Sequence, residues 1–186
     1  LSTAGRGMTI IGATPFHWGR RTYVMGVINM TRDSFSGDGL DEDVDAAVSR
    51  ALQFQDWGAD IIDIGGESTR PGWAYEGTGP ASAEVELSRI MPVIESLATR
   101  LRVPVSVDTY KACVAAEALA AGASMINDVW GFRRDPDMAR VAADAGVPVV
   151  LMHNQDHTRY DDLVPDVIGE LKRMADDAVQ LGVEPG

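Results

Sequence analysis

Cysteine is nearly missing from this chain. Cys113 is the only one among 186 residues, which excludes an internal disulfide. A reducing cytoplasm is therefore the expectation. Positive charge is also scarce: 16 Lys and Arg stand against 28 Asp and Glu, a formal net charge of −12. That balance argues against a nucleic-acid surface or an anionic membrane as partner. An anionic substrate would have to meet local positive charge or a metal. No apolar run approaches the ~20 residues that a membrane-spanning helix needs. No G-x-G-x-x-G turn follows a strand-like stretch, so the dinucleotide fingerprint is absent. No Cys/His cluster has zinc spacing. His153 and His157 would share a helical face, but Asn154 to Arg159 reads as loop.

What is present is alternation. Hydrophobic residues make up 45% of the chain, ordinary for a globular domain. Residues 1–22 read as a leading hairpin or a surface segment, with His17 and Trp18 as packing or surface residues. From residue 23 to 186, near-continuous apolar runs alternate with helix-period segments. The runs are Tyr23–Ile28, Asp60–Ile64, Val103–Asp108, Met125–Val129 and Val147–Met152. Helices are expected over Asp41–Asp56, from Ser82 to about Leu101 with Pro92 inside, and over Lys111–Ala121, Pro136–Ala145 and Val164–Leu181. Gly58, Gly122 and Gly146 stand where helix C-caps belong. Apolar strands of this kind suit a parallel sheet covered on both faces.

The strand ends choose between architectures. Asn29, Asp108, Asn127 and His153 all fall at or just after the C-terminal end of an apolar run. In a barrel those ends form one ring around one pocket. In an open sheet they would lie along an edge and converge only at a switch point. The fold class expected is therefore α/β, of the (β/α)8 TIM-barrel type. A full barrel takes about 200–250 residues, so the barrel domain over 23–186 is expected to be incomplete, short on its C-terminal side.

The most unusual stretch is Gly65-Gly66-Glu67-Ser68-Thr69-Arg70-Pro71-Gly72, directly after Ile61-Ile62-Asp63-Ile64. Glycines, hydroxyls and an arginine bring backbone N–H groups and a guanidinium to an anion. This corner and the motif Met25-Gly26-Val27-Ile28-Asn29-Met30-Thr31-Arg32-Asp33-Ser34-Phe35-Ser36 resemble the second and first loops of the dihydropteroate synthase family. Val105-Ser106-Val107-Asp108-Thr109, Ile126-Asn127-Asp128-Val129 and Leu151-Met152-His153 resemble its third, fourth and fifth strand ends. The resemblance covers Val24 to Gly186 and about the first two thirds of the family's barrel.

The resemblance implies a transferase of folate biosynthesis, the family that sulfonamides target. It condenses 6-hydroxymethyl-7,8-dihydropterin diphosphate with 4-aminobenzoate to give 7,8-dihydropteroate and pyrophosphate. By the same resemblance, Asn29 helps hold Mg²⁺, and Thr69 and Arg70 hold the diphosphate and later the 4-aminobenzoate carboxylate. Ser68 shapes that pocket. Asp33 stabilises a cation-like pterin methylene, and Phe35 packs on the aromatic ring of 4-aminobenzoate. Asp108 and Asn127 read the pterin ring, which Val129 and Met152 line. Small-molecule substrates and a homodimer are implied, with no nucleic acid or membrane partner.

Each role has a plainer rival. Asn29 could form a turn, Asp108 could cap the helix after it, and Val129 and Met152 could be core. Asp128 could be a cap or support the site from behind. Arg32 stands where the family usually has proline, and the family's later Asp and Ser-Arg-Lys lysine have no counterpart here. The chain as given is thus expected to be an incomplete catalyst. Two other readings are a related folate–corrinoid methyltransferase domain and a non-catalytic truncated paralogue acting as a binding module.

Overall fold

The alternation of apolar runs and amphipathic segments folds as one sheet with helices on its outer side. The structure is a computed structural model that describes residues 7–31, 43–67, 80–155 and 157–185. The chain opens with a hairpin, β1 (Met8–Ile11) and β2 (Thr14–His17), paired antiparallel. Strands β3 (Met25–Asn29), β4 (Ile61–Gly65), β5 (Val105–Asp108), β6 (Met125–Asp128) and β7 (Val149–Leu151) follow. They form one five-stranded sheet in that order, every neighbouring pair parallel. Helices α1 (Val44–Asp56), α2 (Ala83–Ala98), α3 (Ala112–Ala120) and α4 (Met138–Ala145) are the crossovers, and α5 (Leu163–Gln180) follows β7. Sequential order, parallel pairing and a helix after each strand are the grammar of a (β/α)8 barrel, here five units of it.

Side-chain alternation divides the sheet into two faces. Ile62, Ile64, Val105, Val107 and Ile126 lie in the same buried core as Ala47, Val48 and Ala51 of α1, Ile90, Val93, Ile94 and Leu97 of α2, and Val114, Ala115 and Ala118 of α3. Gly26 permits close packing of β3 on α1, since a Cβ there would stand 2.7 Å from the Phe54 ring. The other face is the barrel's interior. At its lower end Ile61 and Met125 pack with Ile11 and Phe16 of the hairpin, which closes the N-terminal side of the strands. Tyr23 joins Phe16 and Trp18 in an aromatic group there, and Trp18 Nε1 donates to Thr9 Oγ1 at 2.8 Å. Trp18 is thus a partly exposed ring packed at this end, and His17 contributes its backbone N–H, which donates to Tyr23 OH at 2.9 Å.

The helices start and stop for local reasons. Asp43 caps α1 by accepting from Ala46 N at 2.9 Å, and Ser82 caps α2 by accepting from Val85 N at 3.3 Å. Pro92 is accommodated inside α2. That helix ends at Ala98, short of Leu101. Gly146 ends α4 with a left-handed φ of 62°. Strands run shorter than the apolar runs because pairing ends where the register partner ends: β7 keeps only Val149–Leu151 of Val147–Met152.

Candidate functional site

The parallel register brings scattered residues into one row. Asn29 pairs with Gly65, Gly65 with Asp108, and Asp108 with Asn127, across four strands at their C-terminal ends. Parallel strands share a direction, so residues far apart in sequence reach the same mouth. Gly65 lies between the two polar side chains of Asn29 and Asp108. A Cβ on it would stand 3.4 Å from both Asn29 Oδ1 and Asp108 Oδ2, so the two polar side chains share the space that a larger residue would fill.

Asp108 dominates the electrostatics. Its Oδ1 is buried without a hydrogen-bond partner among the described residues. Burial pushes its carboxyl up to about 8, and the nearby acids Asp63, Glu86, Asp128 and Glu67 add to the rise. A carboxyl held this way gains from any ligand that brings N–H donors to it. It is not a helix cap: α3 is capped at Lys111, and Ala112 N donates to Asp135 Oδ2 at 2.8 Å instead. Asp128 does have a local structural role. Its two oxygens accept from Trp130 N and Phe132 N, each at 2.8 Å, which folds the loop after β6 around it. Val129, just past the end of β6, is buried, and Met152, just past the end of β7, is exposed.

A second cluster stands beside the glycine corner. Lys111 Nζ bridges Glu67 and Glu86, the latter pair at 2.6 Å, and Tyr110 OH donates to Glu67 Oε1 at 2.9 Å. Glu86 is 1% exposed. Burial disfavours the Lys111 charge, but its bonds to Glu67 and Glu86 outweigh this and leave its pKa raised. Arg89 Nη1 donates to Gly66 O at 2.9 Å. Glu67 immediately precedes Ser68, Thr69 and Arg70 in the chain. Those three, with Asp33 and Phe35, lie outside the described residues.

Of the pair His153 and His157, His153 is held by contacts within the fold. His153 Nδ1 meets Glu170 Oε2 at 2.9 Å and its Nε2 meets Tyr160 OH at 3.1 Å, which ties the end of β7 to α5. Among the described residues no group of three or more His, Cys, Asp or Glu is arranged to hold a metal. Sequence reasoning missed one residue of the interior. Asp63, 2% exposed, accepts from Asn127 Nδ2 at 3.0 Å. Burial raises its pKa, and the contacts of Ser106 and Asn127 pull it back only in part. The available signal was an acid inside a run of isoleucines, two residues before Gly65 on the same face.

Five parallel strand–helix units with a polar row at the strands' C-terminal ends define a partial (β/α)8 barrel. The family model described as "Pterin binding enzyme" matches residues 25–186, and the chain belongs to that family. It is 49% identical over 174 residues to the dihydropteroate synthase of Clostridium beijerinckii, covering 94% of this chain and 63% of that protein. A crystal structure of the Clostridium difficile dihydropteroate synthase in the presence of pteroic acid is 46% identical, with a TM-score of 0.80, over 91% of this chain and 63% of that one. The Xanthomonas albilineans dihydropteroate synthase with 4-aminobenzoic acid is 41% identical, with a TM-score of 0.82, over 96% of this chain and 66% of that one. The chain thus spans just under two thirds of the relatives it matches.

Proposed function

We propose that this chain carries the pterin-reading side and the anion corner of a dihydropteroate synthase. In the reaction, the arylamine of 4-aminobenzoate displaces pyrophosphate from the pterin methylene. The observation that carries the reading is the row Asn29, Gly65, Asp108 and Asn127 along one rim. The relatives being synthases favours this reading over the methyltransferase and the binding module.

Asp108 and Asn127 supply acceptors and a donor for the amino-pyrimidine edge of a pterin. Excluding water around Asp108 sharpens that recognition, since a ligand without a donor there leaves the buried Oδ1 unpaired. Val129 and Met152 supply apolar contact to the ring. Thr69 and Arg70, with Ser68, would bind the diphosphate and then the arylamine's carboxylate, for which a planar guanidinium is suited. Asp33 would face the developing positive charge at the methylene, and Phe35 would pack on the ring of 4-aminobenzoate.

Mg²⁺ fits the donor set at Asn29. Its amide oxygen is a hard ligand, it stands over the space that Gly65 leaves open, and Mg²⁺ commonly takes few protein ligands with waters and phosphates making up the rest. The ion would supply neutralisation of diphosphate charge. No described helix is long and apolar enough to cross a membrane, and we place the reaction in the cytoplasm. A homodimer belongs to the same reading.

A pyrophosphate-release assay with the pterin diphosphate and 4-aminobenzoate tests it. Arg70→Ala and Asp108→Ala should each lower the rate at least ~100-fold, the loss of an interaction worth about 2.7 kcal/mol in the transition state. Near-normal turnover in both would reject these site roles.

A further inference from the structure

One buried carboxyl has no part in the reading above. Asp63 stands one layer below the polar row on β4, between Ile61 and Gly65 on the same face. Its register partners are Val27 on β3 and Ser106 on β5. Its Oδ2 accepts a 3.0 Å hydrogen bond from Nδ2 of Asn127, which lies two strands away. Its Oδ1 is buried and finds no hydrogen-bond partner among the described residues.

That bond has a direction. An asparagine amide has a donor end and an acceptor end of nearly equal shape, so its partners alone fix which way it faces. A carboxylate only accepts, so Asp63 must take the nitrogen end. With Nδ2 held by Asp63 Oδ2 at 3.0 Å, the Asn127 Oδ1 end of the amide is the one left for another partner. The rim then carries the Asn127 carbonyl beside the Asp108 carboxyl, which a ligand bringing N–H donors draws to its ionised, accepting form.

We infer that Asp63 is a positioning residue, which by holding Asn127 Nδ2 makes the mouth select a heterocycle edge of neighbouring N–H donors. This rests on the pterin reading and deepens it. The matching ligand class is a 2-amino-pyrimidinone. A 2-oxo analogue would set its carbonyl against acceptors, and a site built on hydrogen bonds rejects such a mismatch strongly.

The test is a fluorescence titration of the chain with two ligands. One is 6-hydroxymethylpterin, with its 2-amino group; the other is 6-hydroxymethyllumazine, with oxygen there. The unaltered chain should prefer the pterin by at least about tenfold. Asp63→Asn can offer either end of its own amide to Asn127, so the preference should collapse to about threefold or less. A merely structural role would weaken both ligands in proportion; an unchanged ratio in Asp63→Asn overturns the inference and leaves the pterin reading standing. An unaltered chain that binds neither ligand overturns both. Hydrogen exchange at the Asn127 side-chain amide of the unaltered, folded chain needs no variant. Exchange at least about tenfold slower than that of a free asparagine amide supports the inference, and exchange at the free rate overturns it.

Discussion

Asp108 sets the behaviour of the site at the scale of single residues. Its folded pKa of about 8 lies above the ordinary 3.8. Between those values the folded chain holds a proton that the unfolded chain has lost. Stability therefore falls as pH rises from about 4 to about 8, and this contribution is flat outside that window. Thermal melts across this range should show Tm declining toward pH 8, and Asp108→Asn should flatten the decline; a parallel slope in the variant would place its cause elsewhere. Asp108 was legible as a site candidate because an acid ends an apolar strand. Its rival role as a helix cap was equally legible, and only coordinates separate the two, since Lys111 and Asp135 serve the start of α3. Asp63 was not singled out, although an acid in a strand buried on both faces is conspicuous, because its partner Asn127 lies two strands away and no local pattern names it.

Among the elements, the strand-to-helix joints deserve the closest attention. Lys111 links β4, through Glu67, to Glu86 on α2 from the cap of α3. Removing one partner of a buried ion pair strands the other charge. Lys111→Met should cost about 3 kcal/mol by urea unfolding, and Lys111→Met combined with Glu86→Gln should recover part of it. A loss under about 0.5 kcal/mol, the scale of an exposed pair, would mean that Glu86 is solvated in solution. Gly66 marks a second joint. A Cβ on it would stand 2.8 Å from Ile90 Cγ2 and 3.0 Å from Glu86 O, so Gly66→Ala should destabilise by about 1–3 kcal/mol. The pattern of glycines and helix periods made the elements readable to within a few residues. Their ends were less so, because strand ends depend on the register partner and helix ends on caps such as Asp43 and Ser82.

At the level of the whole molecule, parallel pairing turns a linear list of strand ends into one rim. The expected ring depended on that pairing, and the register supplies it for Asn29, Gly65, Asp108 and Asn127. The leading hairpin was left open between a hairpin and a surface segment. Its partners are residues of β4 and β6, which no local pattern could indicate. Phe16, 1% exposed, anchors it, and Phe16→Ala should cost about 3–5 kcal/mol in urea unfolding. The five-stranded sheet leaves β3 and β7 each with one unpaired side among the described residues. Val27 and Val150, on the inner face, are 49% and 39% exposed.

The polar row is the feature on which the functional reading turns, and pterin binding probes it directly. The unaltered chain, Asp108→Ala and Asn127→Ala should be titrated with 6-hydroxymethylpterin at pH 7, following the ligand's own fluorescence. Each variant should bind at least about tenfold more weakly than the unaltered chain, the loss of one well-made buried hydrogen bond to a carboxyl or amide partner. Equal affinity in all three proteins would contradict the claim that this rim reads a pterin edge.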